Sequence, residues 1–149
     1  MQNQKMITIL GPTASGKTSV AAALALRTGG EIISADSRQV YRRMDIGTGK
    51  DLADYTIGDV HIPYHLIDIA DPGTKYNLFQ YQQDFHTAYN DIRSRGKLPI
   101  LCGGTGLYIE AVLGGYSLSP VPQNQKLRES LEGKSLDQLT QMLVHLKQK

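Results

Sequence analysis

Short apolar runs alternate along this chain with longer segments whose apolar residues recur at helical spacing. Met6-Ile7-Thr8-Ile9-Leu10 is rich in β-branched residues and ends in glycine, which predicts a central strand buried on both faces of a parallel sheet. An alanine- and leucine-rich helix is predicted from about Lys17 to Thr28, with Gly29-Gly30 as its left-handed stop. Glu31 to Ala35 reads as a second strand. From Arg38 to Pro63 periodicity is poor, so this stretch is read as largely loop, and a long irregular stretch in a small domain is usually functional or mobile. His65 to Ile69 reads as a third strand stopped by Asp71-Pro72-Gly73. Asn77 and Gln80 form a capping pattern for a helix carrying Phe85, Ala88, Tyr89 and Ile92, which Gly96 ends. Leu98 to Cys102 is a fourth strand, followed by Gly103-Gly104-Thr105-Gly106 and a helix from Leu107 to Leu113.

After Gly114-Gly115 the composition shifts. Tyr116 to Gln125 holds two prolines and little apolar pattern, and Leu127 to Leu131 is a short helical patch. Ser135 and Gln138 cap a last helix with Leu136, Leu139, Leu143 and Leu146 on one stripe, a stripe that needs a partner to cover it.

Composition narrows the class. At 149 residues, 40% apolar and 20% charged, the chain suits one globular core and excludes fibrous and disordered classes. A formal net charge of +2 neither demands nor excludes nucleic acid. Cys102 is the one cysteine, so no internal disulfide forms, which fits a reducing cytoplasm. No apolar run approaches the ~18 residues of a membrane span. Val20 to Leu26 reads as helix rather than a signal-peptide core, being short, placed behind a glycine loop and without a cleavage site.

The chemistry gathers on the strand ends. Gly11-Pro12-Thr13-Ala14-Ser15-Gly16-Lys17-Thr18 lies between a strand and a helix, the arrangement of a phosphate-binding loop. Its backbone N–H groups can curl onto an anion, Lys17 adds a positive charge, and the Thr18 hydroxyl can sit on Mg²⁺. Asp36 follows the second strand and Thr105 the fourth, so both reach the edge of the loop if the strands are parallel. Asp36 is either a general base or an outer ligand of Mg²⁺, and Thr105 can offer its hydroxyl to a phosphate or leaving-group oxygen. Arg42, Arg43 and Lys50 are either a solvated loop face or an RNA-facing patch, and His65 reads as a hydrogen-bonded structural histidine.

Four blocks carry a resemblance: the Gly11 to Thr18 loop; Asp36-Ser37-Arg38-Gln39-Val40-Tyr41 with Met44-Asp45-Ile46-Gly47-Thr48; His65-Leu66-Ile67-Asp68; and Gly103-Gly104-Thr105-Gly106-Leu107-Tyr108. In this order they closely resemble the tRNA dimethylallyltransferases, or tRNA isopentenyltransferases, over about Lys5 to Gly115. The resemblance implies transfer of a dimethylallyl group from dimethylallyl diphosphate to N6 of the adenosine next to the tRNA anticodon. It implies Asp36 as the base that takes the amine proton. Lys17, the loop amides, Thr18 with Mg²⁺, and Thr105 would hold the leaving pyrophosphate. Asp36, Ser37, Arg38, Gln39, Thr105 and Arg128 match positions that contact tRNA.

The resemblance implies a family pattern that continues with an inserted helical region gripping the anticodon stem, and this sequence is expected to reach only the start of that insertion. The fold expected is α/β: a P-loop NTPase-like three-layer core with a parallel sheet of at least four strands over 1–115, then the start of a helical tRNA-binding insertion over 116–149. Strand order is not readable. Two other readings compete: a small-molecule or nucleotide kinase with ATP in the loop, and a remnant that binds diphosphate or RNA without turnover. No obligate protein partner is expected.

Overall fold

The structure, a computed structural model, describes residues 5–118 and 124–147. The chain separates into two compact units, Met1–Leu118 and Ser119–Lys149. The prolines between Tyr116 and Gln125 lie outside the described residues.

In the first unit the order is β1 (Ile7–Leu10), α1 (Lys17–Thr28), β2 (Glu31–Ala35), a 3-10 turn (Leu52–Tyr55), β3 (Thr56–Ile57), β4 (Val60–His61), β5 (Tyr64–His65), α2 (Leu78–Ser94), β6 (Pro99–Gly103) and α3 (Gly106–Leu113). The main sheet is parallel throughout, in the order β1-β6-β2-β5. Side-chain alternation along the inner strands feeds two cores. Ile32, Ile100 and Cys102 meet Ala21, Ala22 and Ala25 of α1 on one face. Ile33 and Leu101 meet Tyr81, Phe85 and Ile92 of α2 and Tyr108 and Ile109 of α3 on the other. The small alanines let α1 lie close to the sheet, while the aromatic face of α2 fills a deeper layer.

Caps set the helix ends. Gly16, with φ 78°, is the N-cap of α1, and Gly29 closes it in the left-handed conformation. Asn77 and Gln80 form the full capping box at the start of α2.

Three expectations need correction. First, β1 is an edge strand of the described sheet, because β6 inserts between it and β2; Ile7 and Leu10 are exposed rather than buried on both faces. Second, the third strand stops at His65. Leu66 (φ 65°) and Asp68 (φ 56°) are left-handed, and the chain turns so that the amides of Ile69 and Ala70 both donate to the Val40 carbonyl at 2.9 Å. Leu66 and Ile67 are still buried, in opposite cores, so the apolar run records burial and not extended backbone. Third, the irregular stretch holds the 3-10 turn and the β3–β4 hairpin, which turns at Gly58 with φ 59°.

The second unit holds α4 (Gln125–Leu131) and α5 (Leu136–Lys147). Asn124 caps α4, and the Ser135 and Gln138 side chains cap α5 reciprocally. Leu136, Leu143 and Leu146 of the α5 stripe are exposed.

Candidate functional site

Three strands end on one row. Leu10 of β1 pairs with Gly103 of β6, and Gly103 pairs with Ala35 of β2. The next residues of each strand therefore leave the sheet side by side: Gly11 into its loop, Asp36, and Gly104-Thr105. This level edge needs glycine at 103, where a Cβ would lie 2.2 Å from the Ala35 carbonyl oxygen. The Thr105 amide donates to that same oxygen at 3.0 Å, which ties the end of β6 across to β2.

A cleft of about 180 Å³ opens over this edge. Thr13 to Thr18 line it from the loop, Ser34, Asp36 and Gln39 from the end of β2, and Thr48, Gly49, Asp54 and Tyr55 from the irregular segment. Cys102, Gly103 and Gly104 line it from β6. The N-terminal turn of α1 reaches the cleft through Gly16, Lys17 and Thr18, so unpaired helix amides and the positive end of the dipole lie at its wall. The Lys17 ammonium curls back and donates to the Pro12 carbonyl.

The Asp36 side chain is largely buried, with 16% of it exposed. Its Oδ1 accepts from the Arg38 amide at 2.9 Å, which fixes the turn after β2, and the Arg38 guanidinium stands 3.8 Å away. One carboxylate oxygen is thereby held by the backbone, which fixes the orientation of the group at the cleft.

Thr105 and Ser37 pair with each other. The Ser37 amide donates to Thr105 Oγ1 at 2.9 Å, and the two hydroxyls lie 3.3 Å apart. The cleft lining thus takes in Thr13 to Thr18, Asp36 and Gln39 of the sequence candidates; Gly11, Pro12, Ser37, Arg38 and Thr105 stand beside it as the backbone and struts that shape it. Arg128 is exposed on α4 in the second unit.

Sequence reasoning missed Asp54, Tyr55 and Ser34. Asp51 caps the 3-10 turn by accepting from the Ala53 amide at 3.0 Å, and the turn carries Tyr55 against α1. Burial there pushes the Tyr55 hydroxyl well above its ordinary pKa, and burial likewise pushes the Cys102 thiol up to about 11, so both are neutral near pH 7. The Asp51 cap was the available signal. Lys50 belongs to neither alternative offered for it: its side chain is 1% exposed and paired inside the protein. Arg42 is exposed and pairs with Asp71 at 3.0 Å. His65 bonds Glu31 at 2.8 Å, and Glu31 is the first residue of β2, at the opposite end of that strand from the cleft.

For Mg²⁺, the donor set is oxygen: the Thr18 hydroxyl with the Asp36 and Asp54 carboxylates on one cleft. Among the described residues no group of three His, Cys, Asp or Glu side chains forms a protein cage. A hydroxyl and carboxylate oxygens are the donor type that Mg²⁺ takes, with phosphate oxygens and water completing its shell.

A level edge of parallel strands, a glycine loop feeding α1 and helices on both faces define an α/β protein with a P-loop NTPase-like core. Residues 39–149 match the family described as IPP transferase, and residues 4–58 match that described as Isopentenyl transferase. The chain belongs to the IPP transferase family. tRNA dimethylallyltransferase 1 of Parabacteroides distasonis is 65% identical over 147 residues, covering 99% of this chain and 48% of that protein. tRNA dimethylallyltransferase 1 of Porphyromonas gingivalis is 68% identical over 139 residues, covering 93% of this chain and 46% of its own length. The chain spans about half the length of the curated relatives it matches. Among solved structures, the tRNA isopentenylpyrophosphate transferase of Bacillus halodurans matches with a TM-score of 0.73 and 38% identity, over 99% of this chain and 49% of its own. A eukaryotic dimethylallyltransferase acting on tRNA matches with a TM-score of 0.78 and 30% identity, over 94% of this chain and 35% of its own.

Proposed function

We propose that this chain binds dimethylallyl diphosphate and the anticodon loop of tRNA, and transfers the dimethylallyl group to N6 of the adenosine next to the anticodon. The observation that carries the reading is the shared row Leu10–Gly103–Ala35, which delivers an anion-binding loop and a fixed carboxylate to one cleft. An exocyclic adenine amine is a weak nucleophile because its lone pair is delocalised into the ring. Asp36 takes its proton as the nitrogen attacks C1 of the allyl group, and the C1–O bond to pyrophosphate breaks with its electron pair on oxygen.

Charge then grows on the pyrophosphate. Lys17 releases the Pro12 carbonyl and turns to it, with the Thr13 to Thr18 amides at the α1 N-terminus as further donors. Thr18 would hold Mg²⁺, which neutralises diphosphate charge when bound. Thr105 acts beside it, holding Ser37 and the turn that carries Asp36. Ser37, Arg38 and Gln39 serve as RNA contacts, and Arg128 is assigned the same role by the family resemblance alone. The adenine leaves its stack to reach Asp36, which an unpaired loop base does at modest cost. We assign residues 1–115 to the catalytic core and 116–149 to the start of a tRNA-binding helical region, and place the protein in the cytoplasm. Among the described residues no helix is long and apolar enough to cross a membrane.

Competition binding tests the donor side. Dimethylallyl diphosphate displacing a labelled pyrophosphate analogue more effectively than ATP supports prenyl transfer; tighter ATP binding with phosphoryl transfer refutes it.

A further inference from the structure

Gln39, Thr48 and Gly49 line the cleft from a segment with no helix or long strand to hold it. What holds it converges on Lys50. The buried ammonium donates to the Tyr41 carbonyl at 2.8 Å, to Asp45 Oδ1 at 3.1 Å and to Asp68 Oδ1 at 2.6 Å. Its three N–H donors are all used.

Each acceptor belongs to a different part of the segment. Tyr41 lies just past the Asp36 turn, Asp45 on the outer loop, and Asp68 on the left-handed stretch after β5. The Asp68 amide in turn donates to the Gln39 carbonyl at 3.1 Å, and the Arg42 amide to the Ala70 carbonyl at 2.9 Å, so the two stretches are zipped together on either side of Lys50. Immediately before Lys50, the Gly49 carbonyl accepts from Gln39 Nε2 at 3.1 Å, and the buried Thr48 hydroxyl donates to the Met44 carbonyl at 2.7 Å. A buried ammonium is costly unless its partners are all present, so few arrangements of the segment are tolerated.

We propose that Lys50 is a positioning residue: its buried ammonium locks the Gln39–Gly49 wall of the cleft and thereby sets affinity for the RNA acceptor, leaving pyrophosphate affinity to the Gly11–Thr18 loop. The division follows from chemistry. Gln39, Thr48 and Gly49 line the cleft with a neutral wall whose shape their own hydrogen bonds fix, which suits an uncharged base or sugar packed against it, whereas Lys17 and the helix amides suit an anion. The identity of the acceptor rests on the proposed function.

The test uses the 149-residue chain with Lys50→Met, and with Lys50→Met/Asp68→Asn, which also removes the carboxylate charge left behind. Hydrogen exchange at the Arg42, Asp68 and Ile69 amides is expected to quicken by about tenfold or more while α1 amides keep their rates. No change, or equal quickening in α1 and β2, overturns the proposal. In binding, affinity for an unmodified anticodon stem-loop RNA is expected to fall about tenfold, with inorganic pyrophosphate affinity held within about twofold. Equal weakening of both, or an unchanged RNA affinity, overturns it. A wild-type chain that binds pyrophosphate but no RNA refutes the proposed acceptor, and the exchange result then decides the role of Lys50. If Lys50→Met does not fold, the double variant carries the same readings.

Discussion

The Ser37 amide and the Thr105 hydroxyl, 68 residues apart in sequence, are joined by a 2.9 Å hydrogen bond that links the turn after β2 to the turn after β6. The bond keeps the Asp36 carboxylate and the end of the Gly103–Gly106 turn at a constant separation. Thr105→Ala leaves the Ser37 amide without this partner and is expected to cost about 1 kcal/mol of stability. Thr105→Ser, which keeps the oxygen, should lie within ~0.5 kcal/mol of wild type by urea denaturation.

Gly103 carries a harsher constraint. An added Cβ would stand 2.2 Å from the Ala35 carbonyl oxygen and 2.4 Å from its carbon, both of them backbone atoms of the neighbouring strand. Gly103→Ala must push β6 away from β2 where the cleft begins, and a loss of about 2–3 kcal/mol in urea denaturation is expected.

Away from the cleft, Glu31 gives the fold one acid-sensitive contribution. The Arg95 guanidinium that forks onto it, with His65 at 2.8 Å, holds its carboxyl at about 2, against an ordinary 4.5. Because the folded value is the lower one, the contribution is fully present above pH 4.5 and is lost as pH falls through about 2. The size is on the order of 2 kcal/mol, discounted because Arg95 is 42% exposed. Urea stability at pH 6 and pH 3 should therefore show a smaller acid loss for Glu31→Gln than for wild type, from a lower starting point.

Lys17→Met removes the one side-chain cation of the glycine loop. Pyrophosphate affinity measured calorimetrically should drop roughly 10- to 100-fold, the value of a charge-assisted hydrogen bond. Thermal stability should stay close to wild type, since the ammonium's bond is to an exposed carbonyl of its own loop.

The parts of the site written in consecutive residues were legible. Gly11 to Thr18 carries its own turn chemistry, and Asp36 and Thr105 are placed by the strands they follow, so parallel pairing alone brings them together. Lys50 was illegible for the opposite reason, and Tyr55 had only the Asp51 cap to mark it. The partner that buries Lys50, Asp68, is 18 residues away and acquires its position only when the chain abandons the strand that its apolar residues suggest. Tyr55 reaches the cleft on a single 3-10 turn too short for periodicity to register. The edge position of β1 was equally hidden, because an apolar run of four residues reads alike at the centre of a sheet and at its margin.

The decisive measurement is transfer of labelled dimethylallyl from its diphosphate to unmodified tRNA with Mg²⁺, by this chain and by its Asp36→Ala variant. Label at N6 of the adenosine next to the anticodon, reduced by about 10²- to 10⁴-fold in the variant, is the expected result. Equal labelling by both proteins contradicts Asp36 as the base, and no labelling by either withdraws transfer as an activity of these 149 residues.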